Sequence, residues 1–440
     1  MKRLSRHSAI ALLLAVGAVT LSISGAADAQ DESLTIWWAQ WDPAAGLQEL
    51  SQEFAAETGI KVQVHQIPWP SYQDQVFLEY GNETTAFDIV IGDSQWIGRG
   101  ATKGLYLELT DWIGEAVDLD GIHPLAKRYL MEYPTGSGTV WAAPCETDAL
   151  GFVYRKDWFD DPEEQTAFRA NYGRDLATPD TWEQFRDVAE FFNRPDSKRY
   201  GAALLSGRGY DSITMGFQPF LWAFGGSWGD RESFAVKGHL DTPEAAEGLQ
   251  FLIDLLKFSP PGGTNSDYFG VLDAFTNGST AMALNYFPFY PGIVAAMGDQ
   301  VGFFVVPGHE GTRAISLGGQ GFSISTKVSE SQQALAKRFI AWFQQTEVQQ
   351  KWITYPGSFT ANRQLLSSDE FRSGYPFNAT FASSLDHLRD FWNVPVYNEL
   401  LAANARVLGE ALDGARTPQA ALERLAMEHE MIFRGAGLGQ

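Results

Sequence analysis

Cysteine is nearly absent: Cys145 is the only one in 440 residues. One thiol excludes an internal disulfide and any cysteine-built metal cluster. Histidine is also scarce, and the seven present are scattered with no pair at metal-ligand spacing. Positive charge is short, with 32 Lys and Arg against 54 Asp and Glu, for a net charge of −22. Such a chain repels phosphate backbones and anionic membrane surfaces, which excludes nucleic acid as a partner. Beyond the first thirty residues no stretch offers 18 uninterrupted apolar residues, because the aromatic run at 287–290 is broken by Pro288 and Pro291. There is no Walker loop, no H-E-x-x-H and no complete EF-hand; Asp118-x-Asp120-Gly121 is a fragment. Low-complexity tracts, internal repeats and free linkers are missing too. No cofactor and no metal are implied.

What is present begins with an address. Lys2, Arg3 and Arg6 precede an apolar run over 9–21, and Ala27-Asp28-Ala29 forms an A-x-A cleavage pattern. This predicts a signal peptide over 1–29, with the mature chain starting near Gln30. No cysteine follows the apolar run, so a lipid anchor is not expected, and the periplasm is the expected location. The remaining chain, about 410 residues, exceeds what one hydrophobic core serves and predicts two lobes.

Periodicity then gives an α/β reading. A strand over 34–38, a helix opened by Pro43 and stopped by Gly59, a strand over 62–67, a helix over 71–80 and a strand over 87–91 alternate. Such alternation implies a parallel sheet covered on both faces, with ligands at the carboxyl ends of its strands. Two loops are thereby marked, 39–42 and 92–96. A second α/β region follows, with strands over 140–144, 151–154, 200–205, 281–284 and 301–306. Its helices fall at 181–192, 218–224, 245–258 and 268–277. Helices dominate after 332 and end with an amphipathic one over 418–433.

Several motifs occur in one order. They are Leu-Thr-Ile-Trp-Trp at 34–38, Phe-Asp-Ile-Val at 87–90 and Pro-Cys-Glu-Thr-Asp-Ala-Leu-Gly-Phe-Val-Tyr-Arg-Lys-Asp at 144–157. Thr-Pro-Asp-Thr-Trp-Glu-Gln-Phe at 178–185, Phe-Thr-Asn-Gly-Ser-Thr-Ala-Met at 275–282 and Gly-Gly-Gln-Gly-Phe-Ser-Ile-Ser at 318–325 complete the set. In this order they resemble the extracellular solute-binding proteins of carbohydrate ABC importers, the maltose-binding-protein-like group. The resemblance implies the type II periplasmic-binding-protein fold: two α/β lobes joined by a hinge, with the ligand cleft between them. Crossings near Cys145, Leu317 and Ala361 would give one lobe from 31–145 plus 318–362 and another from 146–317 plus 363–440. It further implies a monomer that captures a small carbohydrate, delivers it to permease subunits in the inner membrane, and performs no catalysis.

A sugar presents hydroxyls in fans and apolar ring faces, so its site needs carboxylates, amides and aromatic rings. The resemblance places ligand contacts at Gln40, Trp41 and Asp42 after the first strand, and at Asp93, Ser94, Gln95 and Trp96 after the third. Helix capping by Asp42, Asp93 or Ser94 accounts for the same residues equally simply. The resemblance adds Asp148, Asn285 and Tyr286; Gly319 and Gln320 lie at an expected crossing, where backbone can approach a ligand, and Trp222, Tyr355, Arg363 and Trp392 are further candidates. One departure stands out: Asp42 occupies a position where the maltose-binding relatives carry a basic residue. An acidic cleft favours a neutral or cationic ligand over an anionic one, leaving a polyol or a cationic solute as alternatives. Gly225-Gly-Ser-Trp-Gly229 fits the G-x-S-x-G nucleophile pattern, yet that pattern needs a preceding strand and 221–224 reads as a helix end. Asp93 and Asp148 facing each other across a glycosidic bond would be the glycosidase alternative.

Overall fold

The structure, a computed structural model, describes residues 32–439. The expected signal peptide therefore lies outside the described residues. Strand β1 (Ser33–Ala39) runs parallel to β2 (Lys61–Ile67) and β3 (Ile89–Asp93), as the alternating pattern predicts. The helix Asp42–Thr58 connects the first two and buries Leu47, Leu50 and Phe54. Gly59 ends it at φ 79°, a left-handed conformation that glycine adopts without a Cβ penalty.

The reading of 140–144 and 151–154 as separate strands is corrected. Ala143 and Pro144 share one long strand, β4 (Ala143–Arg155), with 151–154, while Val140 makes only an isolated bridge to Glu132; the central Glu146, Thr147 and Asp148 of β4 are all buried. Polar residues in mid-run mimic a break, but here they lie where the strand passes from one side of the molecule to the other. The next strands are β5 (Tyr200–Ala203), β6 (Thr280–Tyr286), β7 (Val301–Phe304), β8 (Ile315–Ile324) and β9 (Leu388–Arg389). Over 143–149 β4 pairs with β8, and over 150–154 with β6; β8 in turn pairs with β3. The main path is β2-β1-β3-β8-β4-β6-β5, one hydrogen-bonded sheet through both lobes.

The helix expected at 218–224 begins earlier, as Ser212–Ala223, and is buried along its whole length. At the carboxyl end, the helices Tyr397–Leu412 and Pro418–Gly435 pack together. Between them His429 Nε2 meets Asn404 Oδ1 at 2.9 Å, fully buried. Among the described residues no helix is long and apolar enough to cross a membrane.

Candidate functional site

A cleft of about 450 Å³, mouth included, opens beside the carboxyl end of β3 and the β4–β8 crossing. Carboxylates come from three elements: Asp93 ends β3, Asp148 sits in β4, and Asp211 precedes the helix Ser212–Ala223. The aromatic wall is Trp41, Trp69, Tyr268, Tyr286 and Phe289, and no Lys, Arg or His lines the space. Tyr268 and Phe289 stack at 5.8 Å between centroids with planes 3° apart, while Trp41 approaches Trp69 at 5.2 Å and Phe289 at 6.0 Å.

Asp93 is held from both sides. Tyr210 donates its hydroxyl to Oδ2 at 2.6 Å, and Gln320 donates Nε2 to Oδ1 at 2.5 Å. Gln320 in turn accepts from the Trp38 indole, and the Tyr210 oxygen accepts from Trp96 Nε1 at 2.8 Å. Burial lifts the Asp93 carboxyl above its ordinary range, while these two hydrogen bonds pull it down. Asp211 accepts from the Tyr268 hydroxyl at 2.7 Å, and burial together with Asp93 pushes its pKa up to about 7. Burial also drives Asp148 well upward, against hydrogen bonds from the Ala149 and Phe287 amides. Beneath them Glu146 is fully buried, neither carboxyl oxygen has a partner, and burial with Asp148 and Asp93 raises it strongly. Behind Ser94 lies Asp390, which burial raises to about 6 against the nearby Arg231. An arriving anion would meet a buried cluster of carboxyl groups and no cation to pair with it. Hydroxyl groups that donate to these acceptors fit without that penalty.

Gly318 shows how tightly this wall is built. A Cβ there would stand 2.7 Å from Tyr286 Cε1 and 2.9 Å from Asp148 Oδ2. Gly318→Ala is accordingly expected to weaken capture at least tenfold, read by calorimetry with the carbohydrate that the panel described below identifies. Unchanged affinity would show that this wall does not shape the site.

Of the residues singled out in the sequence, the cleft gathers Trp41, Asp93, Ser94, Gln95, Asp148, Tyr286, Gly319 and Gln320. Trp96 lines an adjoining cavity instead. Gln40 and Asp42 lie outside this cleft: both are exposed, Asp42 starts its helix, and Asp211 is the third carboxylate of the lining. Asn285 also lies outside the lining, its amide donating to the Tyr268 carbonyl and accepting from the Tyr286 amide. Tyr355 packs over Gly46, away from the cleft. Arg363 is exposed at the start of the short helix Arg363–Leu366. Trp222 and Trp392 line a separate cavity with Asp390 and Arg231. Sequence reasoning missed Trp69, Asp211, Tyr268, Phe289, Leu317 and Gly318. Proline brackets, Pro68-Trp69-Pro70 and Pro288-Phe289 before Tyr290-Pro291, were the available signal for two of them.

The G-x-S-x-G segment follows the helix Ser212–Ala223 rather than a strand, so it lacks the strand-turn-helix geometry of a nucleophile elbow. Among the described residues, no group of three or more His, Cys, Asp or Glu is arranged to hold a metal ion.

Residues 38–350, most of the chain, match the family model of the bacterial extracellular solute-binding proteins. The chain belongs to that family. Among curated relatives, this solute-binding protein is 26% identical over 244 residues to a putative ABC transporter periplasmic-binding protein of Escherichia coli (strain K12), covering 55% of this chain and 50% of that one. It is 28% identical over 146 residues to the mannitol-binding protein of Pseudomonas aeruginosa, 33% of this chain and 30% of that one. The matched stretches thus span half of those curated relatives or less. Solved structures match more fully. The ribitol complex of an ABC transporter solute-binding protein from Agrobacterium radiobacter K84 superposes with TM-score 0.77 at 24% identity, covering 91% of this chain and 99% of that one. Maltose-bound T. maritima MalE3 gives TM-score 0.78 at 22% identity, with the same coverages. At these identities the likeness establishes the two-lobed fold of this solute-binding protein, with the cleft between its lobes.

Proposed function

We propose that the protein is the periplasmic receptor of an ABC importer: it captures a neutral sugar or a related polyol by hinge closure and presents it to permease subunits in the inner membrane. The observation that carries this reading is a cleft with three carboxylates and five aromatic rings but no cationic side chain. Carboxylates accept paired hydroxyls, and rings cover the apolar faces of a sugar. The lobe boundaries we assign are 31–145 with 318–362, and 146–317 with 363–440. Closure then draws its stability from ligand contacts made by both lobes. We assign no catalytic role to the chain: Asp93 and Asp148 have structural partners or neighbours that account for them, and they suit hydroxyl recognition. A monomer that ignores nucleic acid is the expected solution state of so acidic a protein.

The test is a thermal-shift panel of neutral sugars, polyols, phosphorylated sugars and sugar acids. A true ligand at about 100 times its Kd adds about 2.7 kcal/mol of stability. Neutral members are expected to stabilise the protein, while their phosphorylated and carboxylated analogues leave it unchanged. A panel without any stabilising carbohydrate or polyol overturns the ligand class, and released hydrolysis products overturn the non-catalytic reading.

A further inference from the structure

We infer that Tyr210 sets the length of the ligand, so that the cleft admits one sugar ring or one linear polyol and excludes a second unit. This inference rests on the carbohydrate reading of the site.

Two cavities meet here. The inner one, about 450 Å³, is the cleft described above; the outer one, about 890 Å³, is lined by Tyr72, Gln73, Trp96, Arg208, Tyr210 and Asn398 among others. They share two walls, Trp69 and Asp93. Tyr210 bridges the junction, taking a hydrogen bond from Trp96 Nε1 and giving one to the Asp93 oxygen opposite Gln320. Asp93 cannot swing aside without releasing Gln320, which the Trp38 indole also holds. The partition is therefore braced from both sides of the cleft.

Its backbone is braced as well. Tyr210 adopts φ 48°, a left-handed conformation that a bulky residue keeps only where its surroundings impose it. The segment leading into it is anchored two residues earlier: Arg208 donates its amide to Asn265 Oδ1 at 3.0 Å and pairs through its guanidinium with Asp413 at 2.5 Å. The outer cavity does not lack groups for a hydroxylated ligand, since Gln73, Asp74, Arg208 and Asn398 all face it. The phenol ring, not missing chemistry, keeps a second unit from bridging the two spaces.

The conformation supplies a clean test. Glycine accepts φ 48° freely, so Tyr210→Gly removes the ring without adding backbone strain. Calorimetry would compare the wild type, Tyr210→Gly and Tyr210→Phe against D-glucose, D-mannose, D-tagatose, ribitol and D-mannitol on one side, and maltose, cellobiose, trehalose and maltotriose on the other. The wild type is expected to bind a single-unit compound at least 100-fold tighter than any di- or trisaccharide, and Tyr210→Phe, which keeps the ring but loses the hydroxyl that braces it, should fall between the wild type and Tyr210→Gly. Tyr210→Gly should narrow that ratio to tenfold or less. A wild type that takes a disaccharide as tightly as a single unit overturns the inference and leaves the carbohydrate reading standing, and so does an unchanged ratio in Tyr210→Gly. Failure of every compound with all three proteins overturns both.

Discussion

Asp148→Asn is expected to cost the protein up to about two orders of magnitude in ligand affinity while raising the melting temperature of the empty form. The amide keeps the volume of the side chain and can still accept from the Phe287 amide, which holds the carboxylate in place. It replaces one acceptor oxygen by a donating NH2, so a ligand hydroxyl aimed at that oxygen is left without a partner in a buried site. Such an unsatisfied group costs up to about 3 kcal/mol, or about 100-fold in Kd. The stability gain has a separate origin. Asp148 is buried beside Glu146 and near Asp93, and burial is the dominant influence on its carboxyl. Removing a desolvated acid from that group relieves a cost that the empty protein bears for the sake of capture. Calorimetric titration and a thermal scan read both halves; affinity that survives the substitution would take Asp148 out of the site.

The second large effect is in pH. Asp211 rises from 3.8 to about 7, so relative to the unfolded chain its contribution is fully present below pH 4 and is lost as pH climbs through 7. A shift of that size corresponds to about 4 kcal/mol. Asp390, at about 6, acts in the same direction over pH 4 to 6. His429 opposes them: burial lowers it from 6.5 to about 3, so its contribution is present above pH 6.5 and is lost as pH falls toward 3. Burial lowers His123 and His387 as well, but Asp211, Asp390, Asp148 and Glu146 all shift upward, so the ligand-free protein is expected to be more stable at pH 5 than at pH 8. Denaturant unfolding at the two values measures it. Asp211→Asn should remove a measurable part of the alkaline loss, centred near pH 7, whereas an unaltered pH profile would show that Asp211 does not contribute to it.

How far these residues could be foreseen varies with the physics that places them. Asp93, Ser94 and Gln95 follow an apolar run whose strand character is local, and strand ends in a parallel sheet mark binding loops. That chain of reasoning needs no tertiary information. The same local rule does not tell a side chain aimed into a cleft from one, like Asp42, that begins a helix at an exposed position. Nor does spacing reveal how a polar group is satisfied: the Asn285 amide bonds to the Tyr268 and Tyr286 backbone. Asp211, Tyr268 and Phe289 arrive from three separate segments. Only the way these segments converge brings them within reach of Asp93. β4 was misread because a buried polar stretch in a strand interior contradicts the apolar pattern from which strands are recognised.

That same strand ties the two lobes together. Its first half is stitched to β8 and its second to β6, so one unbroken stretch of backbone supplies a strand to the ladder on either side of the waist.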